Sequence, residues 1–232
     1  MDKIKKLGII GGLGPESTAR FYLDIIKYFK IKNPNTYPSI VIDSVSFDKH
    51  LEGEIIVENK NENKMKEILI NSAKKIKRSG ADICVMPCNT LHIFFNDISK
   101  NMKMISIIDS VINEIKIKKL KKVLLLATTK TIESKIYSNA FLKNKINFII
   151  PSSVDQKKIS QIIIKILDNK YVKKDFELLK KIIYKFKKNG VDSIILGCTD
   201  FDIILDDLKK LDIKIIDSLD VLAKTTVEYL II

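Results

Sequence analysis

Little in this chain could hold a metal. Histidine occurs twice, at His50 and His92, and cysteine three times, at Cys84, Cys88 and Cys198. No pair of cysteines has the CxxC spacing, and an odd number of thiols does not make a disulfide framework. A four-ligand zinc site is therefore not expected. Arginine is almost absent, with only Arg20 and Arg78. The formal charge is +13, yet nearly all of the cationic side chains are lysines scattered among isoleucine and asparagine. Arginine is the residue that grips phosphate and base edges bidentately. The excess charge thus reads as solvated helix faces rather than a nucleic-acid surface, and a non-catalytic basic binding module is the weaker reading. No apolar run reaches the ~18 residues of a membrane helix. Lys3, Lys5 and Lys6 precede Leu7-Gly8-Ile9-Ile10 in the manner of an export signal, but that run is too short and Glu16 and Arg20 follow it. The expected location is the cytoplasm, where thiols stay reduced.

What is present is an alternation of strand-like and helix-like stretches over 232 residues, with 46% hydrophobic and 30% charged side chains. The run ending at Ile10 reads as a strand, followed by the Gly-rich turn Gly11-Gly12-Leu13-Gly14-Pro15 and a helix with Phe21, Ile25, Ile26 and Phe29 on one face. Ser39 to Val45 reads as a second strand. Glu62 to Ser79 reads as an amphipathic helix stopped by Gly80. Ala81 to Met86 is apolar without alternation, as in a parallel sheet covered on both faces. Lys103 to Ile108 is read as a strand and Asp109 to Lys118 as a helix. Strands at 123–127, 146–150, 193–196 and 214–216 then alternate with helices, the last at 221–230. This rhythm predicts an α/β fold with parallel sheets.

The chain also echoes itself. Cys88 and Cys198 each lie eight positions after a glycine, Gly80 and Gly190, and each follows an apolar run. The stretch Ile10 to Ser17 corresponds to Ala127 to Ser134, each strand being preceded by a lysine pair. Two related halves, each with a cysteine at the carboxyl end of a strand, are the simplest account. Ligands bind at that end of open α/β sheets. Halves related by a pseudo-two-fold axis would bring the two thiols to one cleft from opposite sides.

Two opposed thiols have a specific use. One thiolate removes a proton from a carbon, and a thiol on the other face returns one, which inverts a stereocentre. This needs matched acid and base and stabilisation of the anion next to a carboxylate, with no metal, pyridoxal or nicotinamide. Both cysteines stand before an expected helix start, whose free N–H groups would lower a thiol pKa. Asn89, Thr90 and Thr199 supply short donors that could hold a carboxylate. Each thiol taken singly would read as a core residue; the symmetry argues for catalysis. Cys84, in mid-strand, reads as a small core residue. His92 could tune Cys88 or make a structural hydrogen bond, and Glu16 could either favour its helix start or reach the site. The Gly11-Gly12 turn lacks the Gly-Lys-Ser/Thr of a phosphate loop.

These motifs closely resemble the aspartate/glutamate racemase family. The matching residues are Gly11-Gly12-Leu13-Gly14-Pro15-Glu16-Ser17-Thr18, Pro87-Cys88-Asn89-Thr90-Leu91-His92, Ala127-Thr128-Thr129 with Thr131, Ser134 and Tyr137, Gly197-Cys198-Thr199 and Ile216-Asp217-Ser218. The resemblance implies cofactor-independent racemisation of aspartate or glutamate, in the cleft between two pseudo-symmetric α/β domains, commonly in a homodimer. On this basis residues 1–108 with 214–232 form one domain, carrying Cys88, and residues 109–213 form the other, carrying Cys198. Cys88 and Cys198 carry over as the acid/base pair. Asn89, Thr90, Thr128 and Thr199 carry over as binders of the α-carboxylate or amino group, with Gly12 beside them. Lys49 is the match for a cation at the distal carboxylate, and Lys158 or Lys170 for a second. Asp200 stands where many relatives have Glu. Related isomerases, hydantoin racemases and decarboxylases share the architecture and remain the alternative.

Overall fold

The computed structural model describes residues 4–48 and 60–231. Two four-stranded parallel sheets form its frame. The first contains β1 (Leu7–Gly11), β2 (Ile40–Ser44), β3 (Ile83–Val85) and β4 (Met104–Ile105), in the order β2-β1-β3-β4. The second contains β5 (Val123–Ala127), β6 (Phe148–Ile149), β7 (Ser193–Gly197) and β8 (Lys214–Asp217), in the order β6-β5-β7-β8. The orders match strand for strand, so β3 and β7 are equivalent central strands. The expected α/β architecture of two similar halves is what the chain adopts.

Side-chain alternation along these strands sorts the core into layers. Leu7, Ile9, Ile83 and Val85 face the same central cluster as Val123, Leu125, Ala127 and Ile195 of the other sheet. The alternate residues point outward. Ile10, Cys84 and Met86 pack under one outer layer, and Leu124, Leu126, Ile194 and Leu196 under another. Cys84 is fully buried there, as a core residue, and burial pushes its thiol up to about 12.

Helices fill the three layers. α1 (Pro15–Lys32) starts at a proline whose missing N–H costs nothing in the first turn, carries Glu16 there, and ends with Lys30 and Lys32. Its Phe21, Ile25 and Phe29 form one buried stripe. α2 (Glu62–Arg78) covers the outer face of the first sheet with Met65, Leu69, Ala73 and Ile76, and ends at Gly80 with φ +76°. α3 (Phe95–Ser99) follows β3. α4 (Ile107–Ile117) lies in the central layer. α5 (Thr129–Glu133) and α6 (Ile136–Lys143) follow β5. α7 (Ser153–Leu167), α8 (Lys173–Lys188) and α9 (Leu205–Lys209) cover the second sheet's outer face. α10 (Ser218–Ile231) returns to the central layer against α1 and α4.

Two boundaries differ from the sequence reading. Residues 107–108 are helical rather than strand, because Ser106 caps α4 by accepting the Asp109 N–H at 3.1 Å. An apolar run without alternation does not distinguish the two states. Residues 214–217 belong with the second sheet, where β8 pairs with β7, and only α10 crosses back. The strand of the 214–232 segment thus lies in the second sheet, while its helix packs against α1 and α4. Among the described residues no helix is long and apolar enough to cross a membrane.

Candidate active site

Both thiols stand just beyond the carboxyl ends of the equivalent central strands. After β3 the chain turns tightly over Pro87, with the Cys88 N–H donating to the Met86 carbonyl at 2.8 Å. A 3-10 turn, Thr90–Phe94, follows. After β7, Cys198 directly precedes a 3-10 turn at Thr199–Ile204. One cavity contains both cysteines. It is lined also by Leu13, Gly14, Phe47, Met65, Asn89, Thr90, Leu91, Thr128, Leu167, Thr199 and Asp200. Its volume is about 40 Å³.

Of the residues expected at the site, Cys88, Cys198, Asn89, Thr90, Thr128 and Thr199 meet in this cavity. Gly12 does not line it. Its φ is +82°, and its N–H donates to Thr18 Oγ1 at 3.0 Å, so it shapes the turn that presents Leu13 and Gly14. Lys49 and His50 lie outside the described residues. Lys158 and Lys170 are not in the lining, and Lys170 pairs with Asp168 at 3.1 Å on the surface.

Neither thiol stands directly at the start of a regular α-helix. The turns that follow them are short 3-10 pieces with little dipole to offer. At Cys198, burial first and then the Asp200 carboxylate push the thiol well above its ordinary pKa. A negative charge on Cys88 pushes the same way, so the two sulfurs share one field. The Cys198 thiol donates to Asp200 Oδ2 at 3.1 Å. Asp200 is itself raised, chiefly by burial and also by Glu16. Cys198 is thus protonated at neutral pH, with a proton acceptor in contact.

His92 is occupied structurally. The Ile107 N–H donates to its Nε2 at 3.1 Å, so the ring proton is on Nδ1, which donates to the Cys88 carbonyl at 2.6 Å. Burial lowers its pKa to about 4. A neutral imidazole therefore pins the backbone of Cys88 to the start of α4.

Two polar networks join the halves at the cavity. The hydroxyls of Thr90, Thr128 and Thr131 form a triangle of 2.9–3.1 Å edges, and Thr128 also accepts the Thr131 N–H at 3.1 Å. Asn89 Oδ1 accepts from the Tyr137 hydroxyl at 2.6 Å, while its Nδ2 donates to Ser218 Oγ at 2.9 Å. Ser218 donates in turn to the Leu196 carbonyl of β7 at 2.6 Å. The residue after Cys88 is thereby wired to the strand that carries Cys198. Arg20 of α1 adds a third tie, binding Asp217 of β8 at 2.6 Å and Asp202 of the turn after Cys198.

A scan against known families matches residues 10–226 to the one described as Asp/Glu/Hydantoin racemase. The chain belongs to that family. Among curated relatives of this racemase-family enzyme, the broad specificity amino-acid racemase RacX of Bacillus subtilis (strain 168) is 31% identical over 227 residues, covering 95% of this chain and 96% of RacX. Two solved structures are similar throughout. An aspartate racemase homologue from Pyrococcus horikoshii OT3 has 29% identity and a TM-score of 0.79, covering 97% of this chain and 99% of that one. The Picrophilus torridus aspartate racemase has 28% identity and a TM-score of 0.79, covering 97% of this chain and 94% of that one. Glutamate racemases, such as that of Francisella tularensis at 19% identity and a TM-score of 0.66, share the fold.

Tyr137, Ser218 and Thr131 were visible in the sequence only as members of matching motifs. Leu13 was visible only as a member of the Gly-rich motif, and Phe47, Met65 and Leu167 carried no sequence signal for the site. Asp200 was noted only as an exchange for Glu, without its contact to the thiol.

Proposed function

We propose that this racemase-family enzyme inverts the α-carbon of a free amino acid by a two-base mechanism, with Cys88 and Cys198 on opposite faces. The observation that carries it is one small cavity holding both thiols at equivalent strand ends. In one direction the Cys198 proton passes to Asp200, and the thiolate takes the α-proton. Cys88 then delivers its own proton to the other face. This leaves Cys88 as the thiolate, which is the starting state of the reverse direction, and the proton held by Asp200 returns to Cys88 through solvent to reset the site, so no proton is gained or lost over a full cycle. The carbanion next to the carboxylate is stabilised by hydrogen bonds at that carboxylate. Thr199, together with Thr90 and Thr128 once their protons turn out of the hydroxyl triangle towards the substrate, would supply them. Asn89 has its side-chain oxygen and one amide proton committed to Tyr137 and Ser218, so it acts chiefly by holding the Cys88 turn.

RacX is named for broad specificity, and that latitude is proposed here at the level of free amino acids. Acidic substrates, which the Pyrococcus and Picrophilus names suggest, would require a cation such as Lys49 to reach the distal carboxylate. A cytoplasmic homodimer is part of the same proposal. Tyr22, Leu23 and Ile31 of α1 leave apolar surface exposed that a partner subunit could cover, which light scattering would test.

The test is exchange in deuterated water. Single enantiomers of a panel of amino acids should lose optical rotation while gaining α-deuterium. Cys88→Ser and Cys198→Ser should each lower the rate about 10²–10⁴-fold, the range for removing one acid/base group. Full activity in either variant would remove the two-base reading.

A further inference from the structure

The chain uses arginine at two positions only, Arg20 and Arg78, against many lysines. Arg20, on α1, spreads its guanidinium over three carboxylates. Its Nε pairs with Asp24, one turn further along α1, at 3.2 Å. One terminal nitrogen binds Asp217 at 2.6 Å and the other binds Asp202. Asp217 and Asp202 bracket Cys198. Asp217 ends β8 and lies opposite Leu196 in the β7–β8 register, just before the thiol. Asp202 lies just after it, in the 3-10 turn Thr199–Ile204. The loop between these anchors carries Cys198, Thr199 and Asp200, all three in the cavity lining.

The bond that closes this turn onto the thiol residue, from the Phe201 N–H to the Cys198 carbonyl, is long at 3.4 Å. A 3-10 turn repeats every three residues, so Asp200 and Asp202 leave it on different sides. Asp200 meets the thiol, and Asp202 meets α1. The start of α1 abuts the same loop, since a Cβ on Gly14 would lie 3.5 Å from Asp200 Oδ1. Stability is a poor account of the cluster. Three carboxylates around one guanidinium leave negative charge in excess, and burial lifts both Asp24 and Asp202 above the ordinary carboxylate range. Partly exposed ion pairs also contribute little. What the guanidinium supplies is a rigid planar fork that reaches several carboxylates at fixed angles, which the point charge of a lysine does not.

Resting on the two-thiol racemase reading, we propose that Arg20 is a positioning residue: by clasping Asp217 and Asp202 it holds the loop between them so that the Cys198 thiol meets both Asp200 and the substrate α-carbon. Arg20 acts through that loop and touches no substrate. With Asp24, Asp202 and Asp217 it lines a separate groove of about 560 Å³, which shares no described lining residue with the active cavity. Its effect falls on the proton transfer at Cys198 and not on the one at Cys88, because the clasped loop bears only the former thiol. Small misplacements of a reacting group are costly, so loosening the clasp slows that step rather than weakening binding.

The experiment compares the wild-type full chain with Arg20→Lys, Arg20→Ala and Asp202→Asn, on the amino acid that exchanges fastest in the deuterium panel. In each variant kcat should fall about 10–10²-fold with KM little changed. Each enantiomer is then supplied with deuterium at the α-carbon. The isotope effect on kcat/KM should rise for the enantiomer deprotonated by Cys198 and fall for its mirror image, because only one of the two proton transfers has slowed. Methylguanidinium, and not methylammonium, should restore activity to Arg20→Ala by entering the open groove. Arg20→Lys and Asp202→Asn with wild-type kcat and a native circular dichroism spectrum would overturn the proposal. So would a fall in kcat with isotope effects unmoved for both enantiomers and no response to methylguanidinium, since a merely structural loss behaves in that way. These failures leave the racemase reading standing; wild-type protein that exchanges no amino acid would overturn both.

Discussion

The Cys198 thiol donates to the carboxylate of Asp200 at 3.1 Å, two residues further along the chain. Burial and the adjacent negative charge keep that thiol protonated, so in the proposed mechanism it acts as a base only once Asp200 has taken its proton. Asp200→Asn removes the acceptor and keeps the shape. Racemisation should fall by about 10²-fold or more. The loss in kcat/KM should be equal from both enantiomers, because the equilibrium constant between mirror-image substrates is one. Initial rates from each enantiomer, followed by circular dichroism, check this; an unaffected rate would exclude Asp200 from the proton path.

His92 predicts an acid-sensitive fold. Its folded pKa is lowered from an ordinary 6.5 to about 4, so the unfolded chain binds a proton that the folded one refuses. Stability is then complete above about pH 6.5 and is lost as the pH falls towards 4. The loss over that window should be about 3 kcal/mol, at 1.36 kcal/mol per pKa unit. Urea unfolding at pH 7 and pH 4 measures it. A His92→Gln variant should be less stable at pH 7 and should lack this part of the pH dependence.

Tyr137→Phe tests the tie between the halves. It would leave Asn89 Oδ1 buried without its 2.6 Å donor. An unsatisfied buried acceptor costs about 1–3 kcal/mol. Thermal unfolding should shift down by several degrees, at about 2–4 °C per kcal/mol for a chain of this size. The rate should fall too, because Asn89 no longer fixes the turn bearing Cys88.

Gly12 and Gly80 share a left-handed backbone, with φ +82° and +76°, but not the same surroundings. A Cβ on Gly12 would lie 2.4 Å from the Val45 carbonyl oxygen and 2.7 Å from its nitrogen, whereas at Gly80 nothing stands within 4 Å. Gly80→Ala should cost only the left-handed strain, about 1–2 kcal/mol. Gly12→Ala adds a backbone clash and should cost at least about 2 kcal/mol more, along with activity, since it displaces the turn carrying Leu13 and Gly14. Chemical denaturation of the two variants side by side gives the comparison.

The repeat was legible because a duplicated half-chain keeps its punctuation. Gly80 and Gly190 both take positive φ after a lysine-rich helix end, and each announces a strand that ends at a thiol. Buried parallel strands, being apolar on both faces, were equally plain in Val123–Ala127 and Ser193–Leu196. Boundaries failed where local signals were ambiguous. Ile107 and Ile108 extend an apolar run, yet Ser106 starts a helix there. Lys214–Asp217 has no mark that says which sheet it joins; the vacant edge beside β7 decides it.

Scarce histidine and cysteine against abundant lysine already singled out two thiols as the candidates for chemistry in this chain. Sequence alone determined the α/β rhythm, the pseudo-symmetric halves and the pairing of Cys88 with Cys198. These follow from local periodicity and motif spacing. Only the tertiary structure decided the state of those groups. Burial against Asp200, rather than a helix start, holds Cys198 protonated. The Ile107 N–H fixes His92 as a neutral strut. Leu13, Phe47, Met65 and Leu167, far apart in the chain, come to line one cavity only when the two halves close on it. Such properties belong to distances between remote residues, which no local pattern encodes.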